Sequence, residues 1–411
     1  MNIAELQHPV RKQKAETADL TVVGGAGHVG VPLVLSFAAK GLKVNINDID
    51  NDALAALKSG RVPFIETGAQ PMLDQALKRE LLFFTDQPSE ISSTGPVIIT
   101  IGTPVDELLN PVREVISDCV DALLPSLCDG QLLVLRSTLY PGTTDWIDAR
   151  IKKEGRKIKV AFCPERIVQG NGLAELASMP QLISGTSPEA AAEAAALFGM
   201  IAPQLIMLQP IEAEFAKLFN NAYRYLEFAV TNQFYLIAKS AGLDYVRILQ
   251  AMKKDYPRAQ NIPGPGFAAG PCLVKDTMQL LAFAQNEFAL GNAAIMVNEG
   301  LPLRIVADLR SKYDLKKMAI GLLGMAFKAE SDDPRASLSY KLKKALACVA
   351  QEVLTTDPYV TTDPELLPLD DVIARSNLLI LCTPHRIYQT IDLKNKPVVD
   401  VWSFLKNANV V

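Results

Sequence analysis

The chain has 411 residues, more than one ordinary core holds, and this length predicts about two to three domains. Its composition, 49% hydrophobic and 21% charged, is typical of a globular enzyme, and the net charge of -4 gives no reason to expect nucleic acid as a partner. Six cysteines without a CxxC pair and only three histidines argue against a metal site, and scattered cysteines favour a reducing compartment.

Neither a targeting segment nor a membrane span is expected. Residues 1–18 are polar and lack the apolar stretch of a signal peptide. No apolar run approaches the ~20 residues that cross a bilayer. We therefore expect a cytoplasmic protein without a membrane partner.

Strand-like and helical runs alternate over the first half of the chain. Strands are predicted at 20–23, 44–47, 97–101, 131–135, 160–162 and 205–208, and a helix at 31–40. Strands separated by helices imply parallel crossovers, so the pattern predicts a doubly wound α/β sheet over residues 1–208.

The pattern changes after Pro210. Residues 212–240 contain no glycine or proline, which predicts one long helix of the kind that bridges domains or forms a dimer interface. The following loop, 256–271, holds four prolines and three glycines, a composition that favours a functional loop. These features predict a central helical domain over residues 209–305.

Strand–helix alternation resumes near residue 317. Strands are predicted at 318–323, 352–355 and 377–382, and a helix at 338–350. Residues 306–411 are therefore expected to form a second, smaller α/β domain.

A glycine-rich turn joins the first predicted strand to the first predicted helix. In this GxGxxG motif, Gly25 allows the tight turn, Gly27 leaves room for a pyrophosphate and Gly30 lets the helix pack close to the strand. The intervening His28 and Val29 lie at the helix N-terminus, whose free N–H groups attract phosphate. The motif predicts a dinucleotide site.

An acidic residue follows the turn at the distance that this site requires. Asp48 closes the second strand 23 positions after Gly25 and can accept hydrogen bonds from ribose hydroxyls. A carboxylate there disfavours the 2′-phosphate of NADP, so NAD is the predicted cofactor. Asp50 takes this role if the strand ends later.

Three further segments place polar residues among apolar ones. Lys217 and Asn221 are four apart on the long helix and share a face. Cys272 follows the glycine-rich loop; a helix starting there would lower the pKa of the thiol, and the alternative is a buried structural cysteine. Lys328 and Arg335 can face a phosphate or carboxylate, or belong to an ordinary charged loop.

The order of these motifs resembles the UDP-glucose/GDP-mannose dehydrogenase family along nearly the whole chain. The markers are the glycine turn, Thr100-Ile101-Gly102-Thr103-Pro104, Arg136-Ser137-Thr138, Cys163-Pro164-Glu165-Arg166, the Lys217/Asn221 helix, the Cys272 loop with Lys275-Asp276, and Phe327-Lys328 with Asp332-Asp333-Pro334-Arg335. The resemblance implies two Rossmann-like doubly wound domains joined by a central long-helix dimerisation domain.

The resemblance also implies a reaction, in which the C6 alcohol of a nucleotide sugar is oxidised twice, to a carboxylate. Cys272 would attack the aldehyde, and the resulting thiohemiacetal would be oxidised to a thioester that water hydrolyses. Lys217 and Asn221 would stabilise the oxyanion, and Asp276 would assist proton transfer, with Glu165 and Thr103 near the same centre.

Binding roles follow from the same resemblance. Besides the turn, Asp48 and Thr103, the implied cofactor contacts are Thr138 and Lys275. Besides Lys217 and Asn221, the implied substrate contacts are Glu165, Arg166, Arg258, Phe267, Gly270, Lys328 and Arg335. Arg258 would reach a neighbouring subunit's substrate in a homodimer or larger homo-oligomer built on the central helix.

Two questions stay open at this level. Arg166 resembles N-acetylhexosamine-type members and Lys275-Asp276 resembles glucose and mannose types, so UDP-glucose and a UDP-N-acetylhexosamine both remain candidate substrates. The alternative function is a single oxidation, as in the related β-hydroxyacid dehydrogenases, with Cys272 structural. A non-catalytic dinucleotide-binding protein is the third possibility.

Overall fold

The computed structural model describes residues 17–106, 111–285, 287–405 and 409–410. The prediction that residues 1–18 are not a signal peptide therefore falls mostly outside the described residues. The chain forms two compact units, one ending at Phe219 and the other starting at Asn220. The predicted division into three domains stays a prediction.

The first unit is built on a sheet of eight described strands in the order β3-β2-β1-β4-β5-β6-β7-β8. Their bounds are β1 Leu20–Val23, β2 Val44–Asn47, β3 Leu82–Thr85, β4 Val97–Ile99, β5 Leu132–Leu135, β6 Lys159–Phe162, β7 Gln181–Gly185 and β8 Leu205–Met207. Every residue of strands β1, β2 and β4 is buried, as expected for a parallel sheet covered on both faces. The doubly wound prediction is confirmed for β1 to β6, which pair in parallel.

Helices cover this sheet. They are α1 Gly30–Ala39, α2 Asn51–Lys58, α3 Ala69–Lys78, α4 Glu114–Leu123, α5 Thr143–Lys153, α6 Gly172–Ser178 and α7 Pro188–Phe198. Two apolar clusters lie against the sheet, one containing Leu33 and Phe37 and the other containing Ile116 and Ile147. The carboxyl ends of β1 and β2 are thereby fixed side by side.

Strand β7 departs from the predicted pattern because it pairs antiparallel to β6. The connection from β6 contains only the seven-residue helix α6, which packs against α1. Strands β3 and β7 were not predicted. In β7, the polar residues Gln181 and Ser184 interrupt the apolar run and hide the strand signal, although both side chains are buried.

The long-helix prediction is confirmed by α8, Pro210–Ser240, which starts in the first unit and continues into the second. The second unit adds α9 Tyr245–Lys253, α10 Leu273–Phe283, α11 Ala289–Lys312, α12 Leu338–Ala347 and α13 Leu369–Arg375. None of the helices in the described ranges is long and apolar enough to cross a membrane.

A parallel sheet in the order β10-β9-β11-β12-β13 completes the second unit. The strands are β9 Ala319–Leu323, β10 Glu352–Thr356, β11 Leu378–Leu381, β12 Pro397–Asp400 and β13 Asn409–Val410. The first three confirm the predicted smaller α/β fold, whereas β12 and β13 were not predicted. Each unit thus presents the carboxyl ends of parallel strands, where such folds bind ligands.

Candidate active site

The turn after β1 is shaped by three glycines with different steric reasons. Gly24, which the motif analysis did not single out, has φ +75° and makes the left-handed turn. A Cβ at Gly25 would lie 2.7 Å from the carbonyl oxygen of Val22, and one at Gly30 would lie 2.3 Å from that of Gly24. The fold itself therefore requires glycine at these positions.

Gly27 differs, because a Cβ there would approach nothing closer than 3.5 Å. The position is exposed just before the N-terminus of α1, an end of a helix that favours anions. The backbone at Gly27 could therefore admit a pyrophosphate, which a side chain there would obstruct. Val29 caps α1, and the ring of His28 lies 4.0 Å from that of Phe64.

Asp48 follows β2 beside this turn. Its Oδ2 accepts a hydrogen bond from the N–H of Ala26 at 2.9 Å, and its carboxylate stays half-exposed. Asp50 instead caps α2 by accepting from the N–H groups of Asp52 and Ala53. The geometry therefore favours Asp48 over Asp50 for the ribose of NAD.

Two further residues that were predicted to contact the cofactor follow β4 and β5. Thr100 braces the glycine turn by donating to the carbonyl of Val23 at 2.9 Å. Thr103 and Thr138 follow these two strands and are half-buried. The two threonines thus lie at the carboxyl edge of the sheet.

A buried ion pair holds Glu165 at the end of β6. Its Oε2 accepts from Arg136, and its Oε1 accepts from the N–H groups of Arg166 and Ile167. Arg136 is 1% exposed and also donates to Gln181 Oε1 at 2.9 Å. Both carboxylate oxygens are therefore committed, which fixes Glu165 rather than leaving it mobile.

The first turns of α8 carry Lys217, which is 7% exposed. Three residues earlier, Glu214 is fully buried and accepts from the N–H of Gly142 at 2.6 Å and from the N–H of Thr144 at 2.8 Å. This carboxylate joins the start of α8 to the N-terminus of α5. Sequence reasoning assigned Glu214 no role, although it is acidic among apolar helix neighbours.

In the second unit, Cys272 caps the N-terminus of the eleven-residue helix α10. The expected helix start is thereby confirmed, and the thiol is exposed. The N-terminal end of a helix dipole stabilises a thiolate. An exposed cysteine at this position is better suited to reaction than to packing.

One turn further along α10, Asp276 is completely buried but paired. Its Oδ2 accepts from Asn221 Nδ2 at 2.6 Å, and its Oδ1 accepts from Lys275 Nζ at 2.6 Å. The structure thus brings together Asn221, Lys275, Asp276 and Cys272. Lys275, predicted to contact NAD, is engaged here by the carboxylate.

The loop after β9 meets the Cys272 loop. A Cβ at Gly270, whose φ is +105°, would lie 2.5 Å from the ring of Phe327, and the N–H of Gly270 donates to the carbonyl of Ala336 at 3.2 Å. Arg335 is oriented by Asp333, with Nη2 to Oδ2 at 2.7 Å. The hydrogen bonds that Arg335 donates to Asp333 raise the pKa of Arg335, and the charge of Cys272 raises it further.

Three other predicted substrate contacts have different surroundings. Phe267 is 6% exposed and packs into the apolar core of the second unit. Lys328 Nζ lies 6.0 Å from the ring of Phe327. Arg258 is exposed and stacks over Tyr256 at 5.0 Å.

The second sheet repeats the strand-end carboxylate of the first. Asp357 follows β10, and its Oδ2 accepts from the N–H groups of Met325 and Ala326 at 2.6 and 2.9 Å. His385 Nε2 lies 3.1 Å from the same oxygen, while Nδ1 accepts from the N–H of Glu330. Both side chains are fully buried.

The strand order, the open space at Gly27 and the half-exposed carboxylate of Asp48 are the features of a dinucleotide-binding fold in the first unit. The second unit adds an exposed thiol at a helix N-terminus with a buried carboxylate one turn further on. The fold and these features define the class as a dinucleotide-dependent enzyme with an exposed cysteine in its second unit.

Comparison with known proteins specifies the family. Models of the UDP-glucose/GDP-mannose dehydrogenase family match as the NAD-binding domain over residues 18–202, the central domain over 211–300 and the UDP-binding domain over 321–407. The chain belongs to this family and is an NAD-dependent nucleotide-sugar dehydrogenase.

Similar proteins match nearly the whole length of the chain. The structure of a UDP-D-ManNAc dehydrogenase from Pyrococcus horikoshii is 26% identical, has a TM-score of 0.87 and is matched over 94% of this chain and 96% of that one. A UDP-glucose dehydrogenase structure from Pyrobaculum islandicum is 26% identical, with a TM-score of 0.88 and 96% coverage of both chains. A UDP-glucose 6-dehydrogenase of Haloferax volcanii is 28% identical over 401 residues, 91% of this chain and 93% of the relative.

Proposed function

We propose that the protein oxidises the C6 alcohol of a UDP-sugar to the uronate in two successive steps, with Cys272 as the nucleophile of the second. The observation that carries this proposal is the exposed thiol at the N-terminus of α10, one turn before the buried Asp276. A single oxidation to an aldehyde requires no nucleophilic thiol.

The chain's residues divide the work as follows. NAD, which the turn after β1 and Asp48 would hold, would supply the hydride acceptor for both oxidations. The thiolate of Cys272 adds to the C6 aldehyde, and the thiohemiacetal, after losing the second hydride, becomes a thioester that water hydrolyses to the acid and the free thiol. Lys217 and Asn221 stabilise the oxyanion of these tetrahedral species.

Asp276 is proposed to assist proton transfer or to orient the hydrolytic water. Its hydrogen bonds to Asn221 and Lys275 support this role, because they fix the carboxylate close to the start of α10. Glu165 and Arg166 support substrate binding from the end of β6, where Arg136 holds the carboxylate. Thr103, Thr138 and Lys275 complete the proposed cofactor contacts.

The substrate is proposed to be a UDP-sugar because residues 321–407 match a UDP-binding domain. Relatives named as UDP-N-acetyl-D-mannosamine and UDP-glucose dehydrogenases make these two sugars the first candidates. Lys328 and Arg335 lie in the loop after β9, where a diphosphate would find cations. Gly270 and Phe267 would shape the loop against which the sugar rests.

A second copy of the chain is the proposed partner, through α8. Tyr223, Val230, Phe234 and Ile237 form an apolar stripe on this helix and are 63%, 49%, 41% and 57% exposed. A stripe of this kind on a long helix is typical of an interface. Arg258 would then approach the neighbouring subunit's substrate, and Phe234→Glu should convert a dimer into monomers in sedimentation measurements.

The decisive experiment counts NADH formed per sugar consumed, with UDP-glucose, UDP-N-acetylmannosamine and GDP-mannose as substrates. Two NADH and a uronate support the proposal, whereas one NADH supports the single-oxidation alternative. The Cys272→Ser variant should stop at the aldehyde or slow its oxidation greatly. Full conversion to the uronate by that variant would rule out the covalent step.

A further inference from the structure

A buried amide on α8 grips the loop that leads to Cys272. Asn232 is 0% exposed, its Nδ2 donates to the carbonyl of Gly266 at 2.9 Å and its Oδ1 accepts from the N–H of Gly266 at 2.9 Å. The two hydrogen bonds fix both backbone polar groups of Gly266, which lies six positions before Cys272. Because one group is a donor and the other an acceptor, they also fix which way the amide points.

A second buried amide completes the hydrogen bonding of the first. Asn298 on α11 is 0% exposed, and its Oδ1 accepts the remaining Nδ2 hydrogen of Asn232 at 2.9 Å. Its own Nδ2 donates to the carbonyl of Tyr225 at 3.0 Å. A buried pair satisfied in this way rigidifies its surroundings, since any rotation leaves several polar groups unpaired.

The opposite side of Gly266 is covered by Trp402. Gly266 has φ +147°, and a Cβ there would lie 2.3 Å from the indole ring. The ring is held by its Nε1, which donates to the carbonyl of Cys382 at 3.1 Å. The loop backbone is therefore confined between the Asn232 amide and the indole.

We propose that Asn232, Asn298 and Trp402, here named the Gly266 clamp, are positioning residues that hold the loop so that Cys272 meets the aldehyde carbon. The inference rests on the proposed nucleophilic role of Cys272. Covalent attack tolerates little displacement, and about 1 Å of misplacement can cost about a hundredfold in rate. None of the three residues needs to touch substrate for this effect.

The test is Asn232→Asp, compared with Gln233→Glu on the exposed neighbouring position of the same helix. Both variants exchange an amide for a carboxylate. Only in Asn232→Asp does a carboxylate oxygen replace the donor that faces the acceptor oxygens of Gly266 and Asn298. Amide hydrogen exchange of the peptide containing Gly266 should be about tenfold faster in Asn232→Asp than in the control. Equal exchange in the two variants would overturn the clamp.

A second measurement separates positioning from general structural damage. With semicarbazide present to trap aldehyde, Asn232→Asp should slow the aldehyde-to-acid step by about ten- to a hundredfold and change the alcohol-to-aldehyde step by less than about threefold. Equal loss in both steps contradicts the positioning role. Full uronate formation by Cys272→Ser would contradict the proposed function instead. The amide hydrogen exchange at Gly266 would still test the clamp.

If Asn232→Asp fails to fold, Trp402→Leu tests the clamp from the other side, with Phe404→Leu as the matched aromatic-to-leucine control. Faster exchange at Gly266 and a selective loss of the second oxidation are expected only for Trp402→Leu. The same behaviour in both leucine variants would refute the assignment of Trp402.

Discussion

The two sheets place a carboxylate at the same point and use it differently. Asp48 and Asp357 each follow the second strand of their sheet and accept an N–H from the turn after the first strand. Asp48 stays half-exposed, beside the gap at Gly27. Asp357 is sealed by His385, and its side chain is completely buried.

The difference shows that one backbone arrangement can make either a binding site or an internal brace. In the first sheet, the carboxylate of Asp48 stays half-exposed and could accept hydrogen bonds from a ligand. In the second, the loop after β11 places His385 against Asp357 Oδ2, and both side chains are buried. The carboxylate of Asp357 is therefore used inside the protein.

The largest effect is expected from Asp357→Ala. The substitution leaves the N–H groups of Met325 and Ala326 and the ring of His385 without their acceptor in a buried setting, which should destabilise the protein by about 3 kcal/mol or more. Thermal or urea unfolding measures the loss. The KM for NAD should not change in the fraction that remains folded, and a raised KM would break the comparison.

Asp48→Ala should have the opposite profile. Loss of charge-assisted hydrogen bonds to the ribose, about 2 kcal/mol, should raise the KM for NAD roughly thirtyfold. Unfolding should change little, because the carboxylate is half-exposed. Steady-state kinetics with varied NAD provides the measurement, and an unaltered KM would show that Asp48 does not hold the cofactor.

Asp50→Ala sharpens the assignment within the first sheet. Asp50 caps α2 through the N–H groups of Asp52 and Ala53, so its loss should cost about 1 kcal/mol of stability. The KM of the Asp50→Ala variant for NAD should equal that of the wild type. A KM change as large as that of Asp48→Ala would move the ribose contact to Asp50.

The smallest expected effect is a dependence of stability on pH, which arises from the buried contact between Asp357 and His385. Burial would raise the pKa of Asp357, but the hydrogen bond from His385, with the backbone donors, outweighs burial and lowers this pKa below its ordinary value. The resulting stability is complete above the unfolded-state pKa, about 3.9, and is lost as the pH falls through the lower folded-state value. The melting-temperature gap between wild type and Asp357→Asn should thus narrow below about pH 4.

Local patterns in the sequence were sufficient to predict the elements around the glycine turn and around Cys272. The strand–glycine turn–helix order, Asp48 and the helix start at Cys272 depend on residues close together in the chain, and the structure places them as predicted. The long helix was predicted because 212–240 lacks glycine and proline. Helical spacing singled out Asn221 together with Lys217, and the family resemblance implied roles for Asn221 and Asp276, which the structure joins.

Contacts between distant segments could not be predicted in the same way. Asn232 and Asn298 lie 66 positions apart, and Arg136 and Glu165 lie 29 apart, so no local pattern links them. The only signal was a polar residue on a helix face that is otherwise apolar. His385 carried no motif at all, and its burial depends on where the loop after β11 folds.

The carboxylate of Glu214 has a consequence for exchanging domains between relatives. It lies six residues beyond the end of the predicted N-terminal domain at 208, yet its hydrogen-bond donors are Gly142 and Thr144. A chimera joined at 208/209 would separate this carboxylate from the partners with which it evolved. A junction placed after Phe219 takes Glu214 and its hydrogen-bond donors from the same parent. It is therefore the better position for combining the cofactor preference of one relative with the sugar preference of another.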